Sequence, residues 1–514
     1  MSNVSRHIST LIAAAATLSA AAAEPMMPID SLTAATVEHA SPISALRSDV
    51  FANPAMQSIR FASSLNTLYA AFQHSNASQP VRLEDGDRSN LGLGRIDAYL
   101  HRGNATIWGT AEYRNGKYKN IQFCETSDYE IVAPYFVADT VGGDTDSEYY
   151  HFLGGFSYPV GRFNIGAEGE YTARLEYRTR DPRPKNLTGD LKAKVGASLQ
   201  LDNKNLLGIA ATARKYKQTN EIELYNEVSV PIIYHLTGLG TDYYRFRGQN
   251  TDTYYKGYAW GGMITYSQNS DLGTIPLASG WFAAAAYDYM HIEKIISDLN
   301  QLPMAETATY SQSASIGYSR DNSFGIALTQ DWCKRKGTEN IFGSAVDNIY
   351  PQISEAKQYS LTKWSIGLNA AFERKYGAKG FAVSANAKYS DFSESYLEPA
   401  RSIEASAISA NIKFNGHITA GHVALLGYLY AGYEWSIDSS LTADDEALSS
   451  TLFTPVAHYY NYLADDRWSA GGSIEAGYNI NNRIMPFLRF SLSRLCYTGS
   501  EYTTQIEIAA GIRL

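Results

Sequence analysis

Tyr502-Thr503-Thr504-Gln505-Ile506-Glu507-Ile508-Ala509-Ala510-Gly511-Ile512-Arg513-Leu514 decides the reading of this chain, because its side chains fall into two sets by simple alternation. Tyr502, Thr504, Ile506, Ile508, Ala510, Ile512 and Leu514 share one side of an extended strand, and Thr503, Gln505, Glu507, Ala509, Gly511 and Arg513 share the other. One face is mainly apolar and the other mainly polar or small, which is the dyad of a transmembrane β-strand between lipid and a wet lumen. Such a strand needs a hydrogen-bonding partner, and closing a barrel supplies one.

Working outward, Arg162 to Arg178 repeats the pattern more clearly. Phe163, Ile165, Ala167, Gly169, Tyr171, Ala173, Leu175 and Tyr177 oppose a charged set that includes Glu168, Glu170, Arg174, Glu176 and Arg178. In the next segment Leu187, Leu191, Val195 and Leu199 oppose Asp190, Lys192 and Lys194. These eight charged residues are the candidate lumen-facing groups. Two registers pair them: Arg174 opposite Asp190 with Glu170 opposite Lys194, or, shifted by four, Arg178 with Asp190 and Glu176 with Lys192. Paired charges only solvate and stiffen a wall, whereas a selective constriction needs charges left unpaired.

The remaining strands are expected near 65–74, 91–101, 105–114, 149–158, 206–216, 253–267, 279–290, 306–319, 324–334, 360–374, 381–391, 403–414, 419–435, 467–479 and 484–497. The fold class is therefore an all-β, closed antiparallel transmembrane barrel of about eighteen strands, with sixteen as the alternative. Short turns such as Arg102 to Asn104, Asp202 to Asn205 and Asn415 to His417 alternate with long connections such as 115–148, 217–252 and 436–466. That is the asymmetry of periplasmic turns and outer loops. Two connections strain it: 268–278 is long for a turn, and 498–501 is short for a loop.

Arg6 and His7 precede an apolar run, Ile8 to Leu18, and then Ala20 to Ala23, so residues 1–23 read as a secretory signal cleaved before Glu24. Residues 24–64 do not alternate and form either a lumenal hatch or a periplasmic tail, and 65–514 form the barrel. With 38 Tyr, 40 Gly and only three widely spaced Cys, the chain is β-rich and has neither a disulfide framework nor a zinc motif. A net charge of -9 argues against nucleic acid. Ser360 to Lys363 matches SxxK formally but lacks the accompanying motifs and helix, so no catalytic residue, metal or cofactor is expected.

Arg114-Asn115-Gly116, Glu125-Thr126-Ser127-Asp128-Tyr129, Pro134-Tyr135 and Ala138 to Asp144 together resemble a signature of Bacteroidota outer-membrane barrels of uncharacterised function. The resemblance implies an outer-membrane location and the barrel fold, with action beside a TonB-dependent-type barrel or surface lipoprotein. Asn53-Pro54-Ala55 is separately similar to the hatch of long-chain fatty-acid transporters. Within the signature loop, Asp139, Asp144, Asp146 and Glu148 could face a hard cation. Tyr149 and Gly155 stand where an EF-hand needs Gly and Glu, and a solvated acidic loop is the plainer reading. The expected partners are outer-membrane lipid and, during insertion, the barrel-assembly machinery. The expected function is restricted passage of a solute or polymer, with a non-transporting accessory subunit as the alternative.

Overall fold

The terminal strand finds its partner near the other end of the chain. The computed structural model describes residues 31–514 apart from 227, 229, 249–251, 270–277, 321–322, 348 and 498–500. In it, Thr67 lies opposite Arg513, Phe72 opposite Ile508 and Ala77 opposite Thr503. Asn66 and Leu514 exchange both backbone hydrogen bonds, at 3.0 and 2.9 Å. The expected signal segment lies outside the described residues.

The barrel strands are β1 (Leu65–Ala77), β2 (Arg88–Arg102), β3 (Ala105–Ile121), β4 (Gly143–Val160), β5 (Phe163–Tyr177), β6 (Arg183–Gln200), β7 (Asn205–Glu223), β8 (Thr253–Asn269) and β9 (Ala278–Ile296). They continue with β10 (Leu302–Arg320), β11 (Phe324–Phe342), β12 (Gln352–Tyr376), β13 (Lys379–Tyr396), β14 (Arg401–Ala420), β15 (Val423–Thr442), β16 (Arg467–Tyr478), β17 (Met485–Tyr497) and β18 (Glu501–Arg513). Each pairs antiparallel with its neighbours in chain order, and β18 returns to β1, which makes a closed barrel of eighteen strands. Sixteen is thereby set aside.

Alternation sorts the two faces. Leu68, Phe72, Val195, Ile209, Leu488 and Ile508 are exposed on the outside of the wall. Trp260, Tyr289 and Tyr310 stand in one register row at 5.8 and 5.3 Å, and Trp281 and Tyr318 meet at 5.4 Å nearer the short turns. Trp281 and Tyr289 are separated by about 26 Å along β9, or roughly 20 Å once a typical strand tilt is allowed for, close to the apolar band of such barrels. Two aromatic rows bounding an apolar wall on β8 to β10 fit strands that cross the outer membrane. Among the described residues no helix is long and apolar enough to cross a membrane.

Several expected boundaries move: the 335–359 connection shrinks to 343–351, and the 436–466 connection begins only after Thr442. Asn415 to His417 is strand, not turn: Gly416 pairs with both Phe381 and Gly427, and the chain reverses instead at Gly421 and His422. Gly421 has φ +59°, which a side chain would resist, and this decides where the turn forms. The 115–148 connection shrinks to 122–142, because Lys117 opposite Asp146 and Tyr118 opposite Thr145 extend the β3–β4 ladder. Of the two strained connections, 270–277 and 498–500 lie outside the described residues.

Candidate functional site: the plugged lumen

The lumen is closed at its periplasmic end by α1 (Ser31–His39), α2 (Pro42–Ala45), α3 (Ser48–Phe51) and the 3-10 turn Pro54–Ile59. Asn53 caps that turn, accepting from the Ala55 N–H at 3.0 Å, and Pro54 follows where a helix start needs no N–H. The Asn53-Pro54-Ala55 tip sits against Gly166, Gly196 and Gly208 on the adjacent strands β5, β6 and β7. A Cβ on Gly166 would come within 2.5 Å of the Pro54 backbone, and one on Gly196 within 2.1 Å of the Asn53 side chain. Three missing side chains thus make the notch that accepts the tip. Asn164 donates to the Ala55 carbonyl at 2.7 Å and Lys194 to the Ala52 carbonyl at 2.9 Å.

Arg47 holds the other side of this hatch. Its guanidinium donates to the Ser319 and Ser267 hydroxyls at 3.0 Å each and to the Gly280 carbonyl at 2.7 Å, and lies over the Phe282 ring. Val50, Phe51, Met56 and Ile59 pack on Phe282, Ala284 and Ala327 of the inner wall. Burial of this cluster supplies the hydrophobic part of the attachment.

At the outer end, residues 122–142 fold inward. Arg178, expected to face open lumen, is fully enclosed and pairs with Glu125 at 2.7 Å and Asp139 at 3.1 Å. The Glu125 carbonyl accepts from Asn186 at 2.9 Å and Asn220 at 2.6 Å. Asp139 also accepts from the Gly142 N–H, whose φ of +68° shapes the turn. Asp128 pairs with Arg174 at 2.7 Å, and Ser127 donates to Glu176. The quoted signature is therefore the anchor of the outer closure. Alternation did not reveal Glu125, Asn186 and Asn220 in this role; the density of polar residues in the signature was the only signal for Glu125. The helix α4 (Thr454–Ala464) covers the mouth beside it, with Arg82 over the Tyr459 ring at 3.7 Å.

The inward charges of β5 to β7 take neither expected register. Lys194 stands opposite Glu168 and Lys192 opposite Glu170, two residues away from the Arg174–Asp190 alignment. Glu168–Lys194 and Glu170–Lys192 each measure 3.7 Å, and Asp190 pairs with Arg214 on β7 at 2.6 Å. The register follows the short β5–β6 and β6–β7 connections, since a shift of two residues leaves the same side chains facing lipid and cross-strand ion pairs are weak. The four acidic candidates separate. Asp139 is buried inside, whereas Asp144, Asp146 and Glu148 share the outward parity of Phe152 and Phe156 on β4, with Asp146 bonded to Lys117 at 3.3 Å. They form no common site, and among the described residues no group of His, Cys, Asp or Glu could hold a metal.

Neither closure fills the side of the lumen formed by β15 to β18 and β1 to β3. A cavity of about 780 Å³ lies there, with Gln73, Tyr118, Arg489 and Glu507 in its wall. A second, of about 220 Å³, reaches Thr36 and Ser41 of the hatch. Both are lined by Tyr428, Ser473 and Arg489, so they are adjacent. Arg489 bonds Glu507 at 3.0 Å, and Arg513 bonds Glu475 at 2.9 Å.

A profile described as a family of unknown function (DUF6850) matches residues 54–514. The chain belongs to this family. The match begins at Pro54, within the seated tip of the hatch, and takes in the whole barrel. No curated protein matches. Similar solved structures include a siderophore receptor, PiuA, from Acinetobacter baumannii, at TM-score 0.38 and 9% identity over 88% of this chain and 82% of that one. The FrpB iron transporter from Neisseria meningitidis has TM-score 0.38 and 7% identity over 90% and 83%. CdiB from Acinetobacter baumannii has TM-score 0.34 and 7% identity over 88% and 60%. At such low similarity these likenesses say nothing of this family's cargo.

Proposed function

We propose that this family member carries a solute across the outer membrane through its lumen, with the hatch restricting the periplasmic end and residues 122–142 the outer end. The observation that carries the reading is the pair of adjacent cavities, which follows one side of the lumen from the outer loops to the hatch. A hatch seated by a glycine notch and by hydrogen bonds from Arg47 and Lys194 to uncharged acceptors, with no covalent tie beyond its own chain, can shift without breaking the wall. No covalent chemistry is part of this proposal. In planar bilayers the intact protein is expected to be mostly closed and Gly166→Val, which fills the notch, to raise conductance several-fold. Absence of conductance in both Gly166→Val and a hatch-deleted chain would refute passage. Exposed Tyr225, Val228 and Tyr244 on the outer loops favour a second reading, docking beside a TonB-dependent-type barrel or a surface lipoprotein. Co-purification of such a partner with a closed bilayer trace would select it.

A further inference from the structure

The inner wall is not uniformly balanced. On β5 to β7 each of Lys192, Lys194 and Arg214 has a carboxylate beside it. On β12 to β14, Lys363, Lys388 and Lys413 form no ion pair among the described residues, although Glu130 of the outer closure acts on Lys363 through space. Lys363 stands opposite Phe392 and Lys413 opposite Ser384, so, measured along β13, the three occupy positions 392, 388 and 384 on successive strands. Each step moves one strand sideways and four residues, about 13 Å along the strand, toward the periplasmic end. Lys388 is exposed to the lumen, and the Lys413 ammonium rests 4.1 Å from the Tyr428 ring centroid, where the two cavities adjoin. Lys363 lies near the Phe392 ring at 5.7 Å. Asp331 on β11 and Glu394 on β13 share the inner face without pairing with these amines, and Glu394 accepts from the Tyr359 hydroxyl at 2.8 Å.

We propose that Lys363, Lys388 and Lys413 are successive weak binding steps for anionic groups, phosphate, sulfate or carboxylate, so that the lumen selects anionic solutes. This rests on the passage reading for its role but not for its binding test. Rows of lysine select anions, and conduction requires several sites, each weak enough to release its ion. An amine already held by a carboxylate cannot serve in this way, whereas these three are held in no ion pair among the described residues. Placing the last amine on an aromatic ring beside the inner cavity directs the anion toward the hatch and away from the wall.

The test uses the full-length protein. Under a tenfold KCl gradient, the Gly166→Val protein is expected to show a reversal potential of the sign for chloride over potassium. Adding K363Q, K388Q and K413Q should bring it close to zero, and arginine at the same three positions should restore it. In detergent, inorganic pyrophosphate binding measured by calorimetry should weaken at least tenfold in the triple glutamine variant and recover in the arginine variant. Conductance with an unchanged reversal potential in the glutamine variant overturns the inference and leaves passage standing. Loss of all conductance alongside lysine-dependent pyrophosphate binding overturns passage and supports the binding steps; unchanged or undetectable pyrophosphate binding in the intact chain overturns them.

Discussion

At the outer end of the lumen Arg178 meets two carboxylates in a site sealed from water; at the periplasmic end Arg47, buried as deeply, meets hydroxyls, carbonyls and an aromatic ring. The difference lies in what each arginine would leave behind. Without Arg178, Glu125 and Asp139 stand bare in a low-dielectric pocket, and a bare buried charge is more costly than a lost pair is valuable. Without Arg47, only neutral groups lose a donor, and the desolvation cost of the guanidinium disappears with it. The outer closure, or cap, is thus the costlier of the two to break, and the hatch the cheaper.

The largest expected effect tests the cap. Arg178→Met should destabilise the outer closure by about 3 to 5 kcal/mol, the scale for stranding a buried charge. Limited proteolysis within residues 122–142 of the folded barrel reads it, and resistance equal to the parent would break the comparison. Next, Gly166→Val should cost the hatch about 1 to 3 kcal/mol by overpacking the notch. Crosslinking between engineered cysteines at Ser58 and Asn164, which hydrogen-bond in the parent, should fall. Arg47→Met should cost only about 1 kcal/mol, because a few net hydrogen bonds are offset by the removed burial of charge. A loss matching that of Arg178→Met in hatch crosslinking would show the two arginines to be equivalent.

The smallest effect is a pH dependence of the cap. Glu84 lies in the short turn Leu83–Asp85 beneath the outer loops, and burial pushes its carboxyl up to about 7, against the pull of its own backbone and of Arg82. A raised acid favours the neutral form in the folded cap, so its contribution is complete below the ordinary glutamate range and is lost as pH rises through about 7. The side chain keeps partial access to water, which limits the size of the effect. Protease resistance of 122–142 should decline slightly between pH 5 and 8, and Glu84→Gln should flatten that slope.

Period-two alternation located all eighteen strands because facing lipid constrains every second side chain over each strand. It misplaced the turn at 415–417 because Asn-Gly is a local turn signal, and here the ladder on both sides outweighed it. It also could not fix the β5–β6 register, since registers two residues apart keep the same faces in lipid. The signature residues could be read as a motif, but their task could not. Glu125, Asp139 and Arg178 are 53 and 39 positions apart in sequence and meet only once the loop folds inward.

The sequence by itself determined which face of each strand meets lipid, and so the barrel and its membrane, because that choice is made residue by residue by transfer from water. Only the tertiary structure decided which charges are spent on one another and which stay free. That depends on register and on the inward path of the 31–64 and 122–142 segments, and on distances of a few ångströms between residues remote in sequence. Lys192 and Lys363 look alike as letters on alternating strands; a neighbouring Glu170 pairs with the first, and among the described residues no carboxylate pairs with the second.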